Sequence, residues 1–353
     1  MLYRYPDYLH DFTCLAGACP DTCCRQQWEI VVDAETKQKY EALEGPLGEK
    51  VRAAMYVDAE GETCIGQVDG KCPLLTEEGL CALVCEHGPG MLSVTCDNHP
   101  RFSEIYGGLE ETMLSLSCPA AAKLLLERER PLFFVTHTDE QPPHPNDLDG
   151  DMFRMVLAGR EMAFAILQDR QRKLSDRLAL FLAFGSRLDG CVDRPKVALA
   201  LCENYKSHTY QNRELIRLRR LRRWGTMTHA RQMLLAMEHL TAEFPVHLRE
   251  LEATNVDQNA LPLEQLAVYY VFRWWLKAAC DGYVWRQAAA VVVSVLTVSG
   301  LARTMGSIPD AARLYAKEVE HSEENLSLLR KAMELPHFSR QRLLRLLEVN
   351  HAI

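Results

Sequence analysis

Ten of the thirteen cysteines in this 353-residue chain fall within its first 118 residues. Four form one block, Cys14, Cys19, Cys23 and Cys24, and Cys64, Cys72, Cys81, Cys85, Cys96 and Cys118 follow. Thiols at that density must be bridged, metallated or reactive, and each option demands a different fold. The opening residues, Met1 to Asp7, lack the basic-then-apolar order of a signal peptide, so the expected compartment is the reducing cytoplasm. Disulfides are uncommon there, and adjacent Cys23 and Cys24 fit a simple disulfide framework poorly. Metal ligation is therefore the leading reading of the cysteines.

Charge narrows the class further. Residues 1–150 carry 11 Lys and Arg against 26 Asp and Glu, a balance of −15; the remainder carries 29 against 22, or +7, which together give the net −8. An acidic cysteine-rich half argues against a nucleic-acid-binding module, which would present a basic face. It suits a basic partner such as exposed lysines. The longest uncharged apolar run, Gln287 to Ala302, is shorter than the ~20 residues that span a bilayer, so it reads as a buried helix. Arg213, Arg217, Arg219, Arg220, Arg222 and Arg223 alternate with leucines, giving a basic amphipathic helix over 213–223. Packing through its leucines is the simpler reading; peripheral contact with anionic lipid or with a partner subunit, including a second copy, is the other.

Organisation changes along the chain. The first 130 residues are turn-rich, with a short strand expected around Glu29–Asp33 and short helices at Thr36–Leu43 and Leu47–Met55. Glu60-Gly61, Asp69-Gly70, Gly88-Pro89-Gly90 and Gly107-Gly108 read as turns. Cys118-Pro119 opens a helix, which would place the Cys118 thiol at a helix N-terminus where the dipole favours thiolate. After a strand at Leu132–Val135, the segment Gln141 to Asn146, with three prolines, is the expected boundary. Beyond it, Phe153, Val156, Leu157, Phe164 and Leu167 keep helical spacing. So do Leu263, Leu266, Tyr270, Val271 and Trp274, and Tyr315, Val319, Leu326, Leu329 and Met333. The expected fold is mainly α: an irregular, cysteine-rich α+β metal domain over 1–140, then an all-α helical bundle over 150–353. Metal ligation would stabilise irregular chain that has little core of its own.

The block Cys14-x4-Cys19-x3-Cys23-Cys24 offers four sulfurs that suit tetrahedral zinc or an iron–sulfur cluster equally well. It matches neither a pair of C-x2-C knuckles nor a C-x3-C-x2-C triad. The later cysteines are spaced too widely to define a site alone. Cys64, Cys85, Cys191, Cys202 and Cys280 read as ordinary small buried residues.

The ordered series Phe12-Thr13-Cys14, Cys19, Cys23-Cys24, Trp28, Lys71-Cys72-Pro73-Leu74-Leu75, Gly79-Leu80-Cys81, Leu92-Ser93-Val94-Thr95-Cys96, Pro100-Arg101 and Leu116-Ser117-Cys118-Pro119 resembles the flagellin lysine-N-methylase family, within a wider cysteine-rich zinc/iron-chelating group. The resemblance continues through Gln171 to Leu178, and through Tyr269 to Arg273 and on to Asp281-Gly282. It implies methylation of lysine side chains on flagellin, with S-adenosylmethionine as donor and an iron–sulfur cluster, of 4Fe-4S type, required for activity.

Carried onto this chain, the resemblance makes Cys14, Cys19, Cys23, Cys24, Cys72, Cys81, Cys96 and Cys118 the candidate metal ligands. The first block is favoured for the cluster because short separations cost least in chain entropy. Tyr270, Arg273 and Asp281 become candidate catalytic residues, against core aromatics and a helix-end ion pair as the plainer reading. His99 and Arg101, beside Cys96, become candidates for cofactor binding or for local loop hydrogen bonds. No Gly-rich turn between a strand and a helix marks a doubly wound donor site, so the donor is expected in another setting, at the cluster itself. The runner-up is a non-enzymatic zinc- or iron-binding module whose helical half docks a partner.

Overall fold

The computed structural model describes residues 1–25, 30–220 and 225–347. Trp28 and Glu29, and Leu221, Arg222 and Arg223 of the basic run, lie outside the described residues. Two small sheets form in the first 140 residues. The larger, ordered β5-β6-β1-β7, joins β1 (Leu2–Pro6), β5 (Arg101–Tyr106), β6 (Leu109–Leu114) and β7 (Phe134–Thr138). The smaller, ordered β2-β4-β3, joins β2 (Ile30–Val31), β3 (Met55–Val57) and β4 (Thr63–Ile65). β5 and β6 form a two-residue hairpin through Gly107-Gly108, where Gly107 takes φ +61°, a backbone state that glycine adopts freely. β1 runs parallel to β6 and antiparallel to β7, pairings across more than a hundred residues that no local pattern announces.

Short helices fill the rest of this part. Ala34–Ala42 is capped by Asp33, whose carboxylate accepts from Thr36 N–H at 3.0 Å. Gly45–Ala54 follows, and Pro119–Leu126 starts after Cys118 as its spacing implies. From residue 150 onward the described chain is helical: Gly150–Leu167, Leu174–Asp189, Pro195–Tyr205, His208–Arg219, Ala260–Trp274, Val284–Met305, Ile308–Tyr315 and Glu323–Ala332 are the main elements. The fold is thus mainly α, with an N-terminal α+β region.

Two cores divide the apolar residues. A small one gathers Ile30, Val32, Tyr40, Leu47, Val51, Ile65, Cys72, Leu74 and Leu83. The large one spans both halves, taking in Leu109, Met113, Leu114, Leu125 and Leu132 together with the long helices. Val284–Met305 runs through its centre. At 22 residues it is long and apolar enough to cross a membrane, yet 83% of its most apolar stretch is buried by the protein's own helices. It crosses Leu174–Asp189 so closely that a Cβ on Gly185 would lie 2.5 Å from the Ala288 Cβ. In the helix His208–Arg219, Leu215 and Leu218 are buried while Arg217 pairs with Glu214 and Arg219 with Asp176. Its described residues therefore pack as an ordinary bundle helix.

The four-stranded sheet is joined to the helices by buried charge. Arg160, with no exposed surface, sends two parallel N–H bonds of 2.5 Å to the carboxylate of Glu111 on β6. The same guanidinium lies 5.2 Å from the Phe272 ring. Phe134 on β7 stacks on both Phe164 (4.7 Å) and Phe272 (4.4 Å). A bidentate pair without water is held by geometry, and removing one partner strands the other charge. Glu111→Ala is therefore expected to cost about 3–5 kcal/mol in urea unfolding. Glu35→Ala, which removes a solvent-exposed pair with Lys39, should leave the midpoint nearly unchanged.

Candidate active site

A cleft of about 440 Å³ opens where the cysteine-rich part meets the helices. Cys23, Cys24, Ile30, Thr95, Cys96, Asn98, His99, Pro100, Arg101, Phe102 and Ser115 form one wall; Arg273 and His321 form the other. Local chain explains each placement. Cys23 and Cys24 start a short 3-10 turn, Cys23–Arg25. Cys96 rides on the one-turn helix Val94–Asn98, capped by Ser93, and Arg101 and Phe102 begin β5. Arg273 lies in the last turn of Ala260–Trp274.

His321 reaches the cleft by a less regular route. The helix Ile308–Tyr315 continues as a π-helical turn, Ala316–Glu320, that ends at His321. Such turns are rare and shift the side-chain register of everything after them. This one buries Glu320 and turns the imidazole into the cleft. Glu320 accepts from Arg273 Nε at 3.2 Å and from the Tyr269 hydroxyl at 3.2 Å, and Arg273 also donates to the Tyr269 oxygen at 3.1 Å. Burial pushes the Glu320 carboxyl above its usual value, while Arg273 and Tyr269 pull it back. Arg273 in turn stands 4.1 Å over the Phe102 ring. The His321 Nε2 lies 2.9 Å from the Ser115 Oγ and 2.8 Å from the Ser117 Oγ. Burial, with Arg273, His99 and Lys317 nearby, holds the imidazole neutral, well below its ordinary value.

The cysteines form two neighbourhoods that meet at Cys23, whose thiol feels Cys24 and Cys96 on one side and Cys14 on the other. Cys24, Cys81 and Cys96 pack on the small core that contains Cys72. Cys72 N–H donates to the Cys24 carbonyl at 2.8 Å. Burial raises the Cys72 and Cys96 thiols to about 11, and neighbouring cysteines within the group add to each rise. Cys81 rises for the same reasons. Cys23 shares its proton with Cys24, so Cys24 ionises below an ordinary thiol and Cys23 above it. Cys14, Cys19 and Cys118 form the other neighbourhood, and burial raises Cys118 despite its place at a helix N-terminus. The dipole effect expected there is the weaker of the two. The first block is held against the helices by Asp21, which bonds Arg313 and accepts from Lys317 at 2.6 Å.

These donors fit a soft metal or an iron–sulfur cluster by chemistry. Several thiols crowded in low dielectric resist ionisation until a cation compensates them. Among the described residues no three His, Cys, Asp or Glu side chains already form a closed metal-ligating group. The thiols around Cys24 are close enough to oppose one another's ionisation.

The other sequence candidates lie as follows. His99 and Arg101 line the cleft, and Arg101 also lies 5.1 Å from the Phe12 ring. Tyr270 is fully buried, stacked on Trp274 at 4.3 Å, and does not reach the cleft. Asp281 pairs with Arg286 at 2.9 Å and lines a second cleft, of about 560 Å³, with Glu104, Ile105, Tyr106, Lys277 and Arg330. Sequence reasoning missed His321, Ser115, Ser117 and Glu320. The one local signal was the polar run Glu320-His321-Ser322 inside an apolar helical series.

Burial holds His99 down to about 4, against 6.5 when exposed. Between those values the unfolded chain takes up the proton first, so stability falls as pH falls through that window. The slope is at most about 1.4 kcal/mol per pH unit. His99→Asn should flatten this acid limb, measured as the change in urea-unfolding free energy between about pH 7 and about pH 5.

Residues 160–344, which include Arg273 and His321, match the profile of the FliB lysine N-methylase C-terminal domain. A flagellar biosynthetic protein, FliU, of Salmonella muenchen is 30% identical over 127 residues, covering 34% of this chain and 75% of that protein. Lysine-N-methylases of Salmonella choleraesuis and Salmonella typhimurium are each 30% identical over 127 residues, again 34% of this chain. The aligned segment spans only 31% of the length of those two enzymes. No solved structure matches the chain.

Proposed function

From the premise that the chain belongs to the FliB lysine N-methylase family, we propose that it methylates lysine side chains on flagellin, with S-adenosylmethionine as donor and an iron–sulfur cluster held by its cysteines. One observation carries the reading. The cleft sets Cys23, Cys24 and Cys96 opposite Arg273 and His321, which lie in the segment matched by the family profile. Cys24, Cys72, Cys81 and Cys96 are the thiols that would hold the cluster, which, with all four irons ligated, would fix the cleft wall beside the donor.

In a polar transfer, a nitrogen–carbon bond forms at the lysine amine, the sulfonium–methyl bond breaks, and the nitrogen releases a proton. The amine must be neutral to attack. His321, neutral and held against two serine hydroxyls, would help to orient the amine, while the released proton passes to water. The Glu320–Arg273–Tyr269 network fixes the base of the turn that carries it. Arg273 and Phe102 together wall the cleft beside it.

The name of FliU, a flagellar biosynthetic protein, favours a second reading, a metal-binding module that serves flagellar assembly without catalysis. An anaerobic assay separates the two, with flagellin and donor, read by mass spectrometry for increments of one methyl group. Brown, active protein is expected, with Cys24→Ser abolishing the increments and Cys191→Ser retaining them. His321→Gln should lower kcat by roughly 10- to 100-fold while the protein stays brown. Colourless, zinc-loaded protein that stays inactive after cluster reconstitution would overturn the enzymatic reading.

A further inference from the structure

β5 is an edge strand whose free side opens onto both clefts. Leu2 N–H on β1 donates to the Gly108 carbonyl at 2.8 Å, which turns the even-numbered residues of β6 toward β1 and the odd-numbered ones toward β5. In the β5–β6 register, Phe102, Glu104 and Tyr106 face those odd residues as Phe102↔Met113, Glu104↔Glu111 and Tyr106↔Leu109. The N–H and C=O groups of Ser103 and Ile105 therefore point away from the sheet. Among the described residues no backbone hydrogen bond is made to them.

The clefts lie along this edge rather than over one face of the sheet. Arg101 and Phe102, whose side chains leave opposite faces of the strand, both line the first cleft, and Glu104 and Ile105 both line the second. Two layers of contact repeat along it: Arg273 over Phe102, then Lys277 bonded to Glu104 at 2.8 Å. Phe102 and Glu104 are two strand residues apart, about 6.6–6.8 Å, which is also the spacing of alternate side chains on an extended peptide. Ile105, 48% exposed, leaves apolar surface at the far end.

We propose that this edge docks the protein substrate as an extended segment, added as a strand on β5, with its lysine in the first cleft and the side chain two residues away in the second. The inference rests on the lysine-methylase reading for its choice of occupant. Main-chain pairing to Ser103 and Ile105 gives affinity largely independent of sequence, and the two clefts read alternate side chains. The second cleft, lined by Glu104, Asp147 and Asp281 with Lys277 and Arg330, takes a polar side chain.

The test uses the whole protein under anaerobic conditions and fluorescein-labelled nonapeptides tiled across flagellin, each holding at least one lysine, with binding read by anisotropy. Ile105→Pro removes the outward N–H without touching a β5–β6 bond, whereas Ile105→Ala keeps it. The proline variant should bind the best peptide about tenfold more weakly than the alanine variant, the worth of one main-chain bond. N-methylation of the peptide amide beside the lysine should weaken binding to the wild type by a similar factor. Equal binding by both variants and indifference to peptide N-methylation, or no peptide binding at all, would overturn the docking edge. Peptides that bind along the edge yet gain no methyl groups would sink the enzymatic reading and leave the docking surface standing.

Discussion

The bidentate bond between Arg160 and Glu111 is the interaction on which the arrangement depends. Among the described residues it is the one place where the four-stranded sheet meets the helices through fully buried charge, on β6, next to the strand that lines both clefts. A buried pair of this kind contributes little net stability compared with an apolar contact of the same volume. Its contribution is to register. Two parallel N–H bonds fix where the sheet lies on the helices, and with it the separation of Phe102 from Arg273. Phe134, stacked between Phe164 and Phe272, secures the opposite edge.

With that register set, a second buried network arranges the chemistry. Glu320, Arg273 and Tyr269 bond one another beneath the cleft through one carboxylate oxygen, and the π-helical turn that buries Glu320 is what brings His321 out beside Ser115 and Ser117. A regular helix through Ala316–Glu320 would carry the imidazole to another face. The turn forgoes regular hydrogen bonding in order to place one side chain, a common trade at functional sites.

Much of the fold was legible in local pattern, and little of the site was. Helical spacing in Phe153–Leu167 and Leu263–Trp274, and Pro119 after Cys118, marked real helices because burial of one face and helix-start chemistry are local properties. The sheet was illegible because β1 pairs with strands more than a hundred residues away. The cysteines show the same divide. Chain entropy favours Cys14, Cys19, Cys23 and Cys24 as one group, and the small core around Tyr40 and Leu83 also brings Cys24 beside Cys72, Cys81 and Cys96, which are distant in sequence. Tyr270 falls in the core and Asp281 in the second cleft, whereas Arg273, four residues from Tyr269, faces the first.

On the proposed reading, the thiols gathered around Cys24 form the inorganic centre at the wall of this cleft. Alkylation rates of each cysteine, compared by mass spectrometry between metal-free and anaerobically iron-loaded protein, test it most directly. The account predicts that Cys24, Cys72, Cys81 and Cys96 lose reactivity together on iron loading, while Cys85, Cys191 and Cys280 keep theirs. Protection confined to Cys14, Cys19 and Cys118, or no protection at all, would contradict it.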